Sequence, residues 1–75
     1  MRAEWKTYTP DGRELAVVHE DGLWAATCAG NRSEGATAHA AIAGAVGHKE
    51  ASIGTAEPTI AAWVAAHAAR LEAEI

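Results

Sequence analysis

Apolar and polar residues alternate through the first third of the chain, and two turn signals break that alternation into three segments of matched length. Residues 2 to 9, 14 to 20 and 23 to 29 each carry the period of two that marks a half-buried strand. Between the second and third segments stands Glu20-Asp21-Gly22-Leu23, where Asp21 and Gly22 both accept the positive φ of a two-residue type I′ hairpin. That turn pairs His19 with Trp24, Val17 with Ala26 and Leu15 with Cys28. Between the first and second stands Thr9-Pro10-Asp11-Gly12-Arg13, which suits a three-residue loop with Gly12 in the left-handed slot and pairs Thr7 with Leu15 and Trp5 with Val17. Both registers put Ala3, Trp5, Thr7, Leu15, Val17, His19, Trp24, Ala26 and Cys28 on one face. A two-residue reading of the first turn would bring Lys6 onto that face, and a one-residue slip inverts every side chain, so the three-residue loop is preferred.

Beyond this meander the period changes. Gly30 to Gly35 is polar and rich in turn formers and reads as a loop, and Thr37 can cap a helix that runs to about Val46 and stops at Gly47. The apolar stripe of that helix is Ala38, Ile42, Ala45 and Val46, with His39 at its margin. A linker from His48 to Thr55 leads to Glu57-Pro58, where proline fits the first helical turn because its missing amide would be unpaired there. The second helix is predicted to reach Glu74, with a stripe of Ile60, Val64, His67 and Leu71 flanked by Trp63 and Ile75. The prediction is an α+β fold in one domain spanning 1–75: a three-stranded antiparallel meander followed by two helices packed on one face, in the order β-β-β-α-α.

Composition limits how that fold can be held. Of the 75 residues, twenty are alanine and only seventeen are the remaining apolar types, so the core is thin. A chain of this length buries only about 60 to 65% of its unfolded surface, and a partner subunit would help. The back of the second helix repeats Ala62, Ala66, Ala69 and Ala73 at helical spacing. This methyl surface reads either as a solvent-exposed run of the best helix former or as a helix–helix seam, and it is the candidate face of a homodimer. The formal charge of −4 and six scattered basic residues argue against a protein that works by neutralising phosphates. One cysteine precludes an internal disulfide, no export signal is legible and no apolar run spans a bilayer, so a cytoplasmic protein without membrane association is expected.

Candidate chemistry is sparse. His19, Cys28, His39 and His67 could converge if the helices cover the sheet, yet no two of them stand at a spacing that grips a metal locally. His67 lies on a buried stripe, where a neutral imidazole is the commoner outcome. A small ligand or metal site built on His39 and His67 is the alternative reading. Cys28 faces inward beside Leu15 and reads as a structural thiol. Glu72 and Glu74 read as solvated charge at a helix end. Nucleophile-elbow, phosphate-loop and dinucleotide patterns are missing from the sequence, so neither an enzyme nor a cofactor is expected. Trp5 and Trp24 read as core beneath the helices. The outward face mixes Lys6, Tyr8, Arg13, Val18 and Leu23 with Glu4, Glu14 and Glu20.

Glu20-Asp21-Gly22, then Gly35-Ala36-Thr37 and Ala41-Ile42, stand in an order that resembles the N-terminal domain of HicB-type antitoxins, over residues 13 to 46. In that family a hairpin with an acidic-Gly turn leads through a loop into a helix opening G-x-T-x-x-x-A. The family's proline-containing loop after the third strand and its further strand after the helix are replaced here by Ala29-Gly30-Asn31 and a second helix. The resemblance implies a dimeric module that occludes another small protein, and DNA-linked autoregulation, for which no separate DNA-binding segment remains. The expected function is a non-enzymatic interaction module, antitoxin-like or phage-accessory in setting, that binds another macromolecule as a homodimer. Nucleic-acid binding is the third reading.

Overall fold

The computed structural model describes residues 2–50 and 57–75. Four strands, β1 (Arg2–Tyr8), β2 (Glu14–Glu20), β3 (Leu23–Cys28) and β4 (Asn31–Gly35), are followed by α1 (Ala38–Glu50) and α2 (Glu57–Glu74). The strands form one antiparallel sheet in the order β1-β2-β3-β4. The class is α+β, with four strands where three were expected.

The predicted registers hold. Trp5 pairs with Val17 and Thr7 with Leu15, and across the second hairpin Leu15 pairs with Cys28, Val17 with Ala26 and His19 with Trp24. The first turn closes with the Thr9 amide donating to the Arg13 carbonyl at 2.8 Å and Gly12 at φ 90°. The buried Thr9 hydroxyl accepts from the Arg13 amide at 3.0 Å and donates to the Asp11 carboxylate. Arg13 also bonds that carboxylate, at 2.8 Å, and together with Thr9 holds it below the ordinary aspartate range. At the second turn Asp21 and Gly22 have φ of 55° and 80°, both positive as a type I′ turn requires.

Residues read as a loop form β4 instead. Ala29 and Gly30, at φ 51° and 87°, make another two-residue turn that returns the chain to pair Cys28 with Asn31, Ala26 with Ser33 and Trp24 with Gly35. Two physical features hide this strand in the sequence. Its residues, Asn-Arg-Ser-Glu-Gly, contain no apolar side chain to reveal the alternation, and its turn puts alanine where asparagine or aspartate usually signals the positive φ.

Thr37 caps α1 as expected: its hydroxyl accepts from the Ala40 amide at 3.1 Å, and its carbonyl accepts from the Ala41 amide at 3.2 Å. The helix does not stop at Gly47 but continues to Glu50. A glycine ends a helix when the chain turns left-handed there, and Gly47 is not among the positive-φ glycines. The predicted linker is therefore helical at 48–50, and its remainder, 51–55, lies outside the described residues. Pro58 sits in the first turn of α2, and that helix ends at Glu74.

The core joins Leu15, Val17, Trp24, Ala26 and Cys28 of the sheet to Ala38, Ala41, Ile42, Ala45 and Val46 of α1 and to Ile60, Val64, Ala68 and Leu71 of α2. Trp63 packs against its margin as expected, Trp5 packs there too although it was expected in the core, and Ile75 is exposed beyond the helix end. Helix α1 approaches β4 closely enough that a Cβ on Gly44 would lie 2.8 Å from the Ser33 Cβ and closer still to its hydroxyl.

Two substitutions test these local arguments. Ala29→Asn should stabilise the protein, since alanine in the left-handed region costs about 1–2 kcal/mol and asparagine tolerates it better. A gain of about 0.5–1 kcal/mol corresponds to a rise of several degrees in Tm, which thermal denaturation would detect. Gly44→Ala should lower Tm, because crowding against Ser33 at about 1–3 kcal/mol outweighs the roughly 1 kcal/mol gain in helix propensity. An increase in Tm would show that α1 is not seated on β4.

Candidate functional site

The residues singled out for chemistry are spread over the molecule. Cys28 is fully buried in the sheet, His19 is half-buried with its ring 4.5 Å from that of Trp24, and His39 is exposed on α1. His67 is buried on α2. Among the described residues no three or more His, Cys, Asp or Glu side chains are grouped to hold a metal ion. Ala62, Ala66, Ala69 and Ala73 are all exposed, so the methyl surface predicted on the back of α2 faces outward.

The aromatic residues order the β1 side. Trp5 and Trp24 stack with centroids 5.6 Å apart and planes 17° apart, and Trp24 is buried beneath the helices. Trp5 is half-buried, and its Nε1 donates to the Glu74 carboxylate at 2.9 Å, tying the end of α2 to β1. Glu72 reaches the other way, its Oε2 accepting from the Ala38 amide at 2.8 Å at the start of α1. These carboxylates, expected to be merely solvated, each make a tertiary hydrogen bond. Nothing in their spacing reveals this, because their donors lie 69 and 34 residues away.

A recess of about 310 Å³ beside β1 is lined by Thr7, Trp63, Ala66, His67 and Arg70. The His67 ring stacks on Trp63 with centroids 4.8 Å apart, and Arg70 Nη2 lies 3.0 Å from His67 Nδ1. A guanidinium can only donate, so Nδ1 accepts and the proton of the neutral imidazole sits on Nε2. Nε2 is buried and, among the described residues, has no hydrogen-bond partner. Burial first, and then the positive charge of Arg70, push the His67 pKa below its ordinary value, while Glu74 opposes the shift. The recess thus has aromatic, methyl, hydroxyl, imidazole and guanidinium walls.

No protein-family model, curated protein or solved structure matches the chain. Among the described residues no helix is long and apolar enough to cross a membrane.

The His67 environment predicts acid lability. Because the folded-state pKa lies below that of the unfolded chain, the unfolded state binds more protons as pH falls through the ordinary histidine range near 6.5. Stability is therefore fully present above that range and declines below it. The unfolding midpoint should be lower at about pH 5.5 than at pH 7.5, and His67→Leu should reduce the difference. Equal midpoints at the two pH values would contradict this account.

Proposed function

We propose that the chain is a small, non-enzymatic, cytoplasmic interaction module that binds and modulates another protein and acts as a homodimer. The setting it suits is that of an antitoxin or a phage accessory protein, in keeping with the HicB-like order of turn and helix in residues 13 to 46. The observation that carries this reading is the sheet's outer face. Both helices lie on the opposite side, and a shallow depression of about 580 Å³ crosses Ala16, Val18, Ala25 and Thr27 between Arg2 and Arg32. Small side chains at the centre with charges of both signs around them make a flat, partly apolar surface of the kind proteins use to meet one another. Leu23 at its margin is 47% exposed. For the homodimer two further surfaces are open among the described residues, the methyl face of α2 and the side of β1 that faces away from β2.

Ala25→Arg tests the assignment of the outer face. It plants a charge in the centre of the depression without touching the core, so circular dichroism should be unchanged. Affinity capture from the native host should retain a specific protein with the wild type and lose it with the variant. Retention of the same proteins by both would count against this face. Stoichiometric metal in the purified protein would instead favour the ligand-binding alternative at His39 and His67. Nucleic-acid binding at about 50 mM salt that falls steeply as salt rises would favour the third reading.

A further inference from the structure

The homodimer in that reading can be assigned a seam. Strand β1 lies at the edge of the sheet, and its register with β2 runs unbroken from Arg2 opposite Glu20 to Tyr8 opposite Glu14. Natural edge strands are usually kept short, bulged, interrupted by proline or guarded by charge. This one is seven residues long and contains no proline, and the charges it does carry, Arg2, Glu4 and Lys6, are of both signs.

The direction of its hydrogen-bonding groups follows from the first hairpin. Thr9 bonds to Arg13, so by antiparallel alternation Thr7, Trp5 and Ala3 direct their amides and carbonyls toward β2. Arg2, Glu4, Lys6 and Tyr8 direct theirs away from the sheet. A second antiparallel strand must pair these even-numbered residues with one another. Centring the pairing on Glu4 would oppose Glu4 to its own copy and Lys6 to Arg2, and centring it on Lys6 would oppose Lys6 to its own copy. Centring it on Trp5 opposes Glu4 to Lys6 twice over, opposes Arg2 to Tyr8, and uses the whole strand.

We propose that two copies of the chain join β1 to β1, antiparallel about a two-fold axis at Trp5, into one continuous sheet. The register supplies about eight backbone hydrogen bonds and two Glu4–Lys6 pairs on the outer face. On the inner face the half-buried Trp5 meets Trp5 of the second copy, extending the Trp5–Trp24 stack across the axis. Thr7, at the mouth of the recess formed with Trp63 and Arg70, meets Ala3 of the second copy. The opposite edge, β4, offers a similar Arg32–Glu34 match but is only five residues long, about half the hydrogen bonds, and α1 lies close over Ser33. Helix α2 turns Ala66 toward β1 within the recess, whereas Ala62, Ala69 and Ala73 lie away from the buried stripe and stay outside this seam.

Sedimentation equilibrium on the full chain and four variants tests the proposal. The wild type should be a dimer. Lys6→Pro removes an amide directed away from β2, so the monomer should keep its circular dichroism and the dimer should be lost. Lys6→Glu should weaken association about tenfold by setting like charges opposite each other, and the exchange Glu4→Lys with Lys6→Glu should restore it. Ala69→Glu should leave the dimer intact. A dimer that survives Lys6→Pro overturns the β1 seam, and if it is then lost in Ala69→Glu the homodimer reading stands on the methyl face of α2. A wild type that is monomeric throughout overturns both the seam and the homodimer, leaving the outer face as a site for a different protein.

Discussion

The shortness of alanine governs this structure. Among the described residues, five of the fourteen buried hydrophobic ones are alanine, and three of those lie on α1. A methyl group reaches little beyond the helix backbone, so α1 can exclude water from the sheet only by lying close to it. Gly44 opposite Ser33 is the consequence, since any larger residue would hold the helix away. Longer side chains come from both helices, Ile42 and Val46 of α1 and Ile60, Val64 and Leu71 of α2, and Trp5 and Trp63 pack at the margin. Helix α1 combines them with three buried alanines, so its part of the core depends most on close approach to the sheet.

The thin core explains the polar ties at the end of α2. Its last turn contains no basic residue, so Glu72 and Glu74 oppose the helix dipole. Each is engaged beyond its own helix. Glu72 brings negative charge to the first amide of α1, where the dipole favours it, and Glu74 receives the Trp5 indole. Together they set the end of α2 against both the neighbouring helix and the edge strand, which the thin apolar packing alone would locate poorly. A hydrogen bond to a charged group contributes about 1.5–3 kcal/mol when shielded and less when exposed, as these partly are.

What could be read from the sequence was what local chemistry determines. Asp21-Gly22 and Pro10-Asp11-Gly12 constrain backbone φ directly, so both registers and the inward placement of Trp24, Leu15, Val17, Ala26 and Cys28 followed. The same reasoning failed where tertiary contact supplied the decision. Ala29 accepts an unfavourable φ because β4 gains a full ladder with β3. The methyl face was visible because its period is helical, but its outward direction does not identify an occupant. The edge of β1 was hidden for a different reason: the self-complementarity of Glu4 and Lys6 acquires meaning only once β1 is known to lie at the border of the sheet.

The indole of Trp5 connects the sheet border to the helical layer. One side of it stacks on Trp24, its nitrogen bonds Glu74, and it remains half-buried within the single chain. Anything that displaces the end of α2 therefore also displaces the residue at the centre of the β1 edge. His67 lies on that same helix, its ring against Trp63 in a recess shared with Thr7 of β1. Charging the imidazole in that recess weakens the packing of α2, and through Glu74 and Trp5 the disturbance reaches the strand. In the proposed β1 dimer, association would oppose it by mass action, since a second copy would bind only the arrangement in which Trp5 is seated. On the proposed seam, helix packing and edge pairing would be coupled through one side chain, so that strengthening either one would hold the other in place.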